Sequence, residues 1–177
     1  MHGLLAKVLA YRATQSLAII MMDSHETGRG VASALSDSRT PGLKPTLQCI
    51  TLRQPDGKLR PYHELDAETE ALVAQALQHQ HHVLLIMIDQ SKTGLIAPSL
   101  ACVLGLKQRY GDRLTILVDA CQLRLSPDTL SSYLKQNFFV AITGSKFLTG
   151  PAFFGRIINT RSLCTLAESQ PLAEYLS

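Results

Sequence analysis

The sequence has no long hydrophobic run. Its longest, Leu17–Met22 and Val83–Ile88, fall far short of the roughly 20 apolar residues a membrane-spanning helix needs. It also has no block of like charge. Seventeen Lys and Arg stand against 14 Asp and Glu, scattered singly, for a net charge of +3. That pattern offers no basic stripe for nucleic acid. There are no repeats and no low-complexity tracts. The glycine patterns GxGxxG and GxxxxGK[ST] are both missing, which counts against a doubly wound nucleotide-binding domain. The four cysteines, Cys49, Cys102, Cys121 and Cys164, show no CxxC spacing. They read as reduced, mostly buried thiols of a cytoplasmic protein. A two-disulfide framework is the alternative, but a chain with this much apolar content needs no staples. Residues 1–7 are not expected to form a signal peptide, because Lys7 and Arg12 interrupt the apolar residues and no small-residue cleavage site follows.

What is present describes an ordinary globular chain. At 177 residues, 46% hydrophobic and 18% charged, it is expected to form one domain with a real core. Apolar residues at 4, 5, 8, 9 and 11 form one helical face over 3–12. Leu17–Met22 is a continuous apolar run with polar bounds, as in a strand buried on both faces. A helix is expected to begin over 28–35, and the Ser-, Pro- and Gly-rich stretch 36–44 reads as a loop. A weaker strand over 46–52 is followed by the turn signal Pro55-Asp56-Gly57.

Residues 66–80 read as a helix with Asp66 as N-cap and Glu68 and Glu70 near its positive end. A buried strand over 83–88 leads to a helix with Pro98 in its first turn and Gly111 just past its end. A third buried strand covers 114–118. Ser126 and Pro127 open the next helix, and strands over 138–142 and 153–159 close the series. Strands separated by helices imply an α/β fold: a mostly parallel sheet with helices on both faces.

In such sheets ligands bind beyond the carboxyl ends of the strands. The polar residues that follow the apolar runs should therefore share one edge. They are Asp23, Ser24 and His25; Asp89, Gln90 and Ser91; Asp119 and Gln122; and Thr143, Ser145 and Lys146. Asp119 ends one run within Val118-Asp119-Ala120-Cys121-Gln122. Lys146 follows the next run, 27 residues later, within Thr143-Gly144-Ser145-Lys146. An acid and an amine facing one pocket suit pyridoxal 5'-phosphate, whose ring nitrogen attracts an anion and whose aldehyde attracts an amine.

At these residues the chain resembles the class V aminotransferase family of fold-type I pyridoxal-phosphate enzymes, which includes the cysteine desulfurases. VDACQ and TGSKFLTGP carry the resemblance; IMIDQSKTGLIAPS and DSHETGRG agree more weakly, in the right order. It runs from about Ser16 to Asn159, the central part of a family member's large domain. It implies that Asp119 faces the pyridine nitrogen and keeps it protonated. It implies that Lys146 is the Schiff-base lysine, a role suited to an amine whose pKa moves readily on desolvation. Thr143 and Ser145 match phosphate-binding positions. Many relatives carry histidine where this chain has Ser145, which can donate a hydrogen bond but brings no charge.

The same resemblance places Gln122 near the cofactor's phenolic oxygen, with Gln90 aimed at the same atom. It stacks His25 on the cofactor ring, where imidazole can also relay a proton. Each residue has a plainer reading. Asp119 can be a helix N-cap or a loop acid, and Lys146 a solvated surface lysine. Thr143 and Ser145 can be turn caps, Gln122 an exposed helix residue, and His25 an exposed loop histidine. The run His79-Gln80-His81-His82 invites a metal, but no carboxylate or cysteine accompanies it, and helix-end histidines favour the dipole anyway, so no metal site is expected.

Two expected family features have no counterpart in the sequence. One is a Gly/Ser-rich phosphate loop ahead of the first helix. The other is the small C-terminal domain, which carries the substrate-carboxylate arginine and, in desulfurases, the loop with the nucleophilic cysteine. The chain is thus expected to be a single partial cofactor domain over 1–177. The resemblance implies a homodimer and an amino-acid substrate, without naming the reaction. The alternative is a non-catalytic fragment or degenerate relative that keeps the fold and dimerises.

Overall fold

The computed structural model describes residues 16–23, 26, 45–122, 124–143 and 155–158. The expected helices over 3–12 and 28–35, the loop over 36–44 and Cys164 lie outside the described residues. So do three candidate site residues, His25, Ser145 and Lys146.

Six strands form one sheet: β1 (Leu17–Met22), β2 (Thr46–Ile50), β3 (His82–Ile88), β4 (Leu114–Asp119), β5 (Phe139–Thr143) and β6 (Gly155–Ile158). The order across the sheet is β2-β1-β3-β4-β5-β6. Every pairing is parallel except β5 with β6. Three helices are described: α1 (Tyr62–Gln78), α2 (Leu100–Tyr110) and α3 (Pro127–Lys135). None is long and apolar enough to cross a membrane.

The apolar runs became strands because both of their faces are covered. On one face Ile20, Met22, Leu85, Met87, Ile116 and Val118 pack with Val73 and Leu77 of α1, Val103 and Leu106 of α2, and Tyr133 and Leu134 of α3. On the other, Leu17, Ile19, Met21, Leu84, Ile86 and Leu117 form a second cluster. Each fully buried aliphatic side chain here contributes about 1.5–3 kcal/mol of transfer free energy. Strand alternation thus assigns odd and even residues of β1 to opposite cores.

The structure corrects several boundaries. The first described helix starts at Tyr62, after Pro61, and Asp66 is not its N-cap. Asp66 lies inside α1 and accepts hydrogen bonds from the Ser99 N–H (2.9 Å) and the Ser99 hydroxyl (2.6 Å). The acid in the helix's first turn is Glu64, while Glu68 pairs with Arg60 at 2.7 Å. Ser99 is the N-cap of α2, its Oγ accepting from the Cys102 N–H at 3.1 Å, so Pro98 precedes the helix rather than opening it. Gly111 does end α2, with φ 54. Ser126 caps α3 and Pro127 follows it, as its sequence predicts. The expected Pro55-Asp56-Gly57 turn closes a small hairpin by the Gln54 N–H to Lys58 carbonyl bond of 2.8 Å. Against the expectation of mostly buried thiols, only Cys102 of the described cysteines is buried; Cys49 on the edge strand is exposed and Cys121 is half-buried.

Candidate active site at the carboxyl edge of the sheet

Parallel strands deliver their carboxyl ends to one side, and register aligns the residues that leave them. Ile88, Asp119 and Ala141 stand side by side on β3, β4 and β5. Asp89 donates its N–H to the Asp119 carbonyl (3.0 Å), and Ala120 donates to the Ala141 carbonyl (2.9 Å). Asp23, Asp89, Gln90, Ser91, Asp119, Gln122 and Thr143 thus gather on a single edge. The plain alternation of the strands then divides them between faces.

Asp119 ends β4 on the face of Leu117 and is half-buried. Its Oδ1 accepts the Cys121 N–H at 3.1 Å, an Asx turn that fixes the carboxylate as the chain leaves the sheet. It is not a helix cap; Ser126 fills that role for the helix that follows. Gln122, half-exposed, sits in that turn and not on a helix. Thr143 is the last residue of β5, paired with Gly155 of β6.

Gln90 follows β3 with φ 55, a left-handed backbone uncommon outside glycine. The other two non-glycine residues of positive φ, Gln80 and Asn137, stand just past helix ends, where that conformation is ordinary. Gln90 has no such context. Its Nε2 donates to the Arg124 carbonyl at 3.4 Å, tying the β3 connection to the β4 connection.

Asp89 takes the opposite face. It is 4% exposed and accepts the Tyr133 hydroxyl at 2.8 Å. Burial pushes the Tyr133 phenol well above its ordinary range, and the adjacent Asp89 carboxylate adds to the shift. This pair joins α3 to the sheet and stands apart from Asp119.

A second cluster at the same edge has no local sequence signature. Glu26, 4% exposed, accepts Ser91 Oγ at 2.7 Å and Thr93 Oγ1 at 2.8 Å on one oxygen. Its other oxygen accepts Arg53 Nη2 at 2.8 Å and Nε at 3.1 Å. Burial raises this carboxyl, but the Ser91, Arg53 and Thr93 donors and the guanidinium charge outweigh it, holding Glu26 below its usual value. Its partners lie 27, 65 and 67 residues away, so only the folded sheet brings them together.

Two of the run's three histidines are engaged elsewhere. His79 Nδ1 meets the Gln75 carbonyl and His82 Nε2 meets Thr115 Oγ1, both at 2.8 Å. Among the described residues, no group of three His, Cys, Asp or Glu side chains is arranged to hold a metal.

No protein-family model matches the sequence, and no curated protein does. Solved structures do match the fold. A protein of Erwinia carotovora atroseptica, assigned as a histidinol-phosphate aminotransferase, superposes with a TM-score of 0.58 at 16% identity, covering 93% of this chain and 45% of its own. The histidinol-phosphate aminotransferase of Sinorhizobium meliloti, solved with pyridoxal-5'-phosphate, gives 0.57 at 13%, covering 97% and 43%. A decarboxylase of Sulfurospirillum multivorans gives 0.52 at 13%, covering 94% and 46%.

The fold is that of the fold-type I pyridoxal-phosphate enzymes. The mostly parallel sheet with one antiparallel strand agrees with the expectation from sequence. This chain spans less than half the length of each of these fold-type I proteins.

The donor set fits pyridoxal 5'-phosphate, the compound in the Sinorhizobium meliloti structure. A half-buried carboxylate, oriented by a backbone N–H, ends a central strand at the edge where ligands bind. Amide side chains occupy the turns on either side of it. An anion suits a protonated ring nitrogen, and amide donors suit a phenolate oxygen.

Proposed function

We propose that this chain is the cofactor-binding core of a pyridoxal-phosphate-dependent enzyme of the class V aminotransferase type, acting on an amino acid. The observation that carries the reading is Asp119: a half-buried carboxylate, fixed by the Cys121 N–H, ending a central strand of a fold-type I sheet. When bound, the cofactor supplies an electron sink for a carbanion at the substrate's α-carbon.

The chain's own residues supply the setting. Asp119 holds the ring nitrogen's proton in place by its charge. Lys146, three residues past the end of β5 in sequence, would hold the cofactor through its amine and serve as the proton carrier. Thr143 and Ser145 would donate hydroxyls to the phosphate. Gln122 and Gln90 would offer amide donors to the phenolic oxygen, and His25 would supply a ring to stack on the cofactor. TGSKFLTGP and VDACQ support class V in particular. The site is completed in a homodimer, as the class resemblance implies.

Titration of the purified chain with pyridoxal 5'-phosphate, followed by visible absorbance, tests the role of Asp119. Asp119→Asn keeps the shape and removes the charge. The expected result is saturable binding by the native chain and a dissociation constant raised about ten-fold in the variant, the equivalent of ~1.4 kcal/mol. Equal affinity in both would remove Asp119 from the site.

A further inference from the structure

The strand order reverses between β1 and β3. From β1 the chain passes to β2 on one side; from β3 it passes to β4 on the other. At such a point the carboxyl edge of a doubly wound sheet opens into a crevice. Glu26 spans it. One carboxylate oxygen takes the Ser91 and Thr93 hydroxyls of the β3 connection, and the other takes the Arg53 guanidinium of the β2 connection.

The order propagates outward from there. Ser91 Oγ accepts the N–H groups of Thr93 and Leu95, both at 3.2 Å, while Arg53 Nη1 reaches the Gly57 carbonyl at 3.1 Å. A buried carboxylate with four donors is thus the common tie of three strand connections. Glu26 directly follows His25 in the chain, and Ser91 directly follows Gln90.

We propose that Glu26 is a positioning residue for the cofactor site, fixing the β3 connection from which Gln90 acts. This role rests on the cofactor reading above. One peptide separates Ser91 from Gln90, so the fixed backbone at Ser91 limits where Gln90 can reach. Displacements of about 1 Å at such distances are enough to change binding and rate severely.

The test compares the native chain with Glu26→Ala and Thr93→Val. Thr93 is exposed, so its substitution removes one hydroxyl donor and leaves the core alone. Two quantities are read: amide hydrogen exchange at Thr93 and Leu95 without cofactor, and the affinity and induced circular dichroism of added pyridoxal 5'-phosphate. In Glu26→Ala exchange at both amides accelerates, the dissociation constant rises about ten-fold and the induced signal changes; Thr93→Val moves the same way by less. Unchanged exchange in both variants overturns the tie itself. Faster exchange with unchanged affinity and signal overturns the positioning role alone. A native chain that never binds the cofactor overturns the cofactor reading, and the positioning role with it.

Discussion

Asp119 and Asp89 are 30 positions apart in the chain and joined by a backbone hydrogen bond, yet they do different work. Asp119 faces one side of the sheet, half-buried and available to a cationic partner. Asp89 faces the other, sealed against Tyr133. Removing the phenol hydroxyl with Tyr133→Phe leaves a buried carboxylate short of a donor. Stability should fall by about 1–3 kcal/mol, read by denaturant unfolding, with cofactor affinity unaffected. Glu26 adds an acid-range signature. Its folded-state pKa lies below its usual 4.5, so its contribution is complete above that value and is lost as pH falls through the folded value. The stability difference between the native chain and Glu26→Gln should therefore shrink on acidification below about pH 4.5 and stay level toward neutrality. A difference that grew on acidification would reverse the assignment.

At the scale of elements, helix starts are set by contacts as much as by local signals. Asp66 has the composition of an N-cap, but its side chain is held by Ser99 of the next helix, and α1 begins a turn earlier at Tyr62. Ser99→Ala removes the Cys102 cap and the hydroxyl donor to Asp66, leaving Asp66 the backbone N–H of residue 99. The expected loss is about 1–2 kcal/mol, measured by thermal or denaturant unfolding, with α2 exchanging its first-turn amides faster. The strands were legible because Leu17–Met22 and Val83–Ile88 are buried on both faces, which leaves continuous apolar runs. The positions of Asp119 and Gln122 at the carboxyl edge were legible because the first ends such a run and the second follows it within a turn. The Glu26–Arg53–Ser91–Thr93 cluster was not, because a hydrogen bond across 65 residues leaves no periodicity in the chain. The two-faced division of Asp89 and Asp119 became plain only once each had a neighbour to meet.

For the whole molecule, the fold-type I likeness extends over 87–97% of this chain in six of the solved structures it matches, but over 35–46% of theirs. The fold is therefore the shared part, and turnover, substrate and dimerisation stand as proposals beyond it. The proposed function places pyridoxal 5'-phosphate at this edge on Lys146. It is tested most directly by incubating the purified chain with the cofactor, reducing with borohydride to fix it to its amine, and mapping the modified peptide by mass spectrometry. The account predicts one stoichiometric adduct on Lys146, absent from Lys146→Ala. Label spread over surface lysines, or an equal adduct in Lys146→Ala, would contradict it.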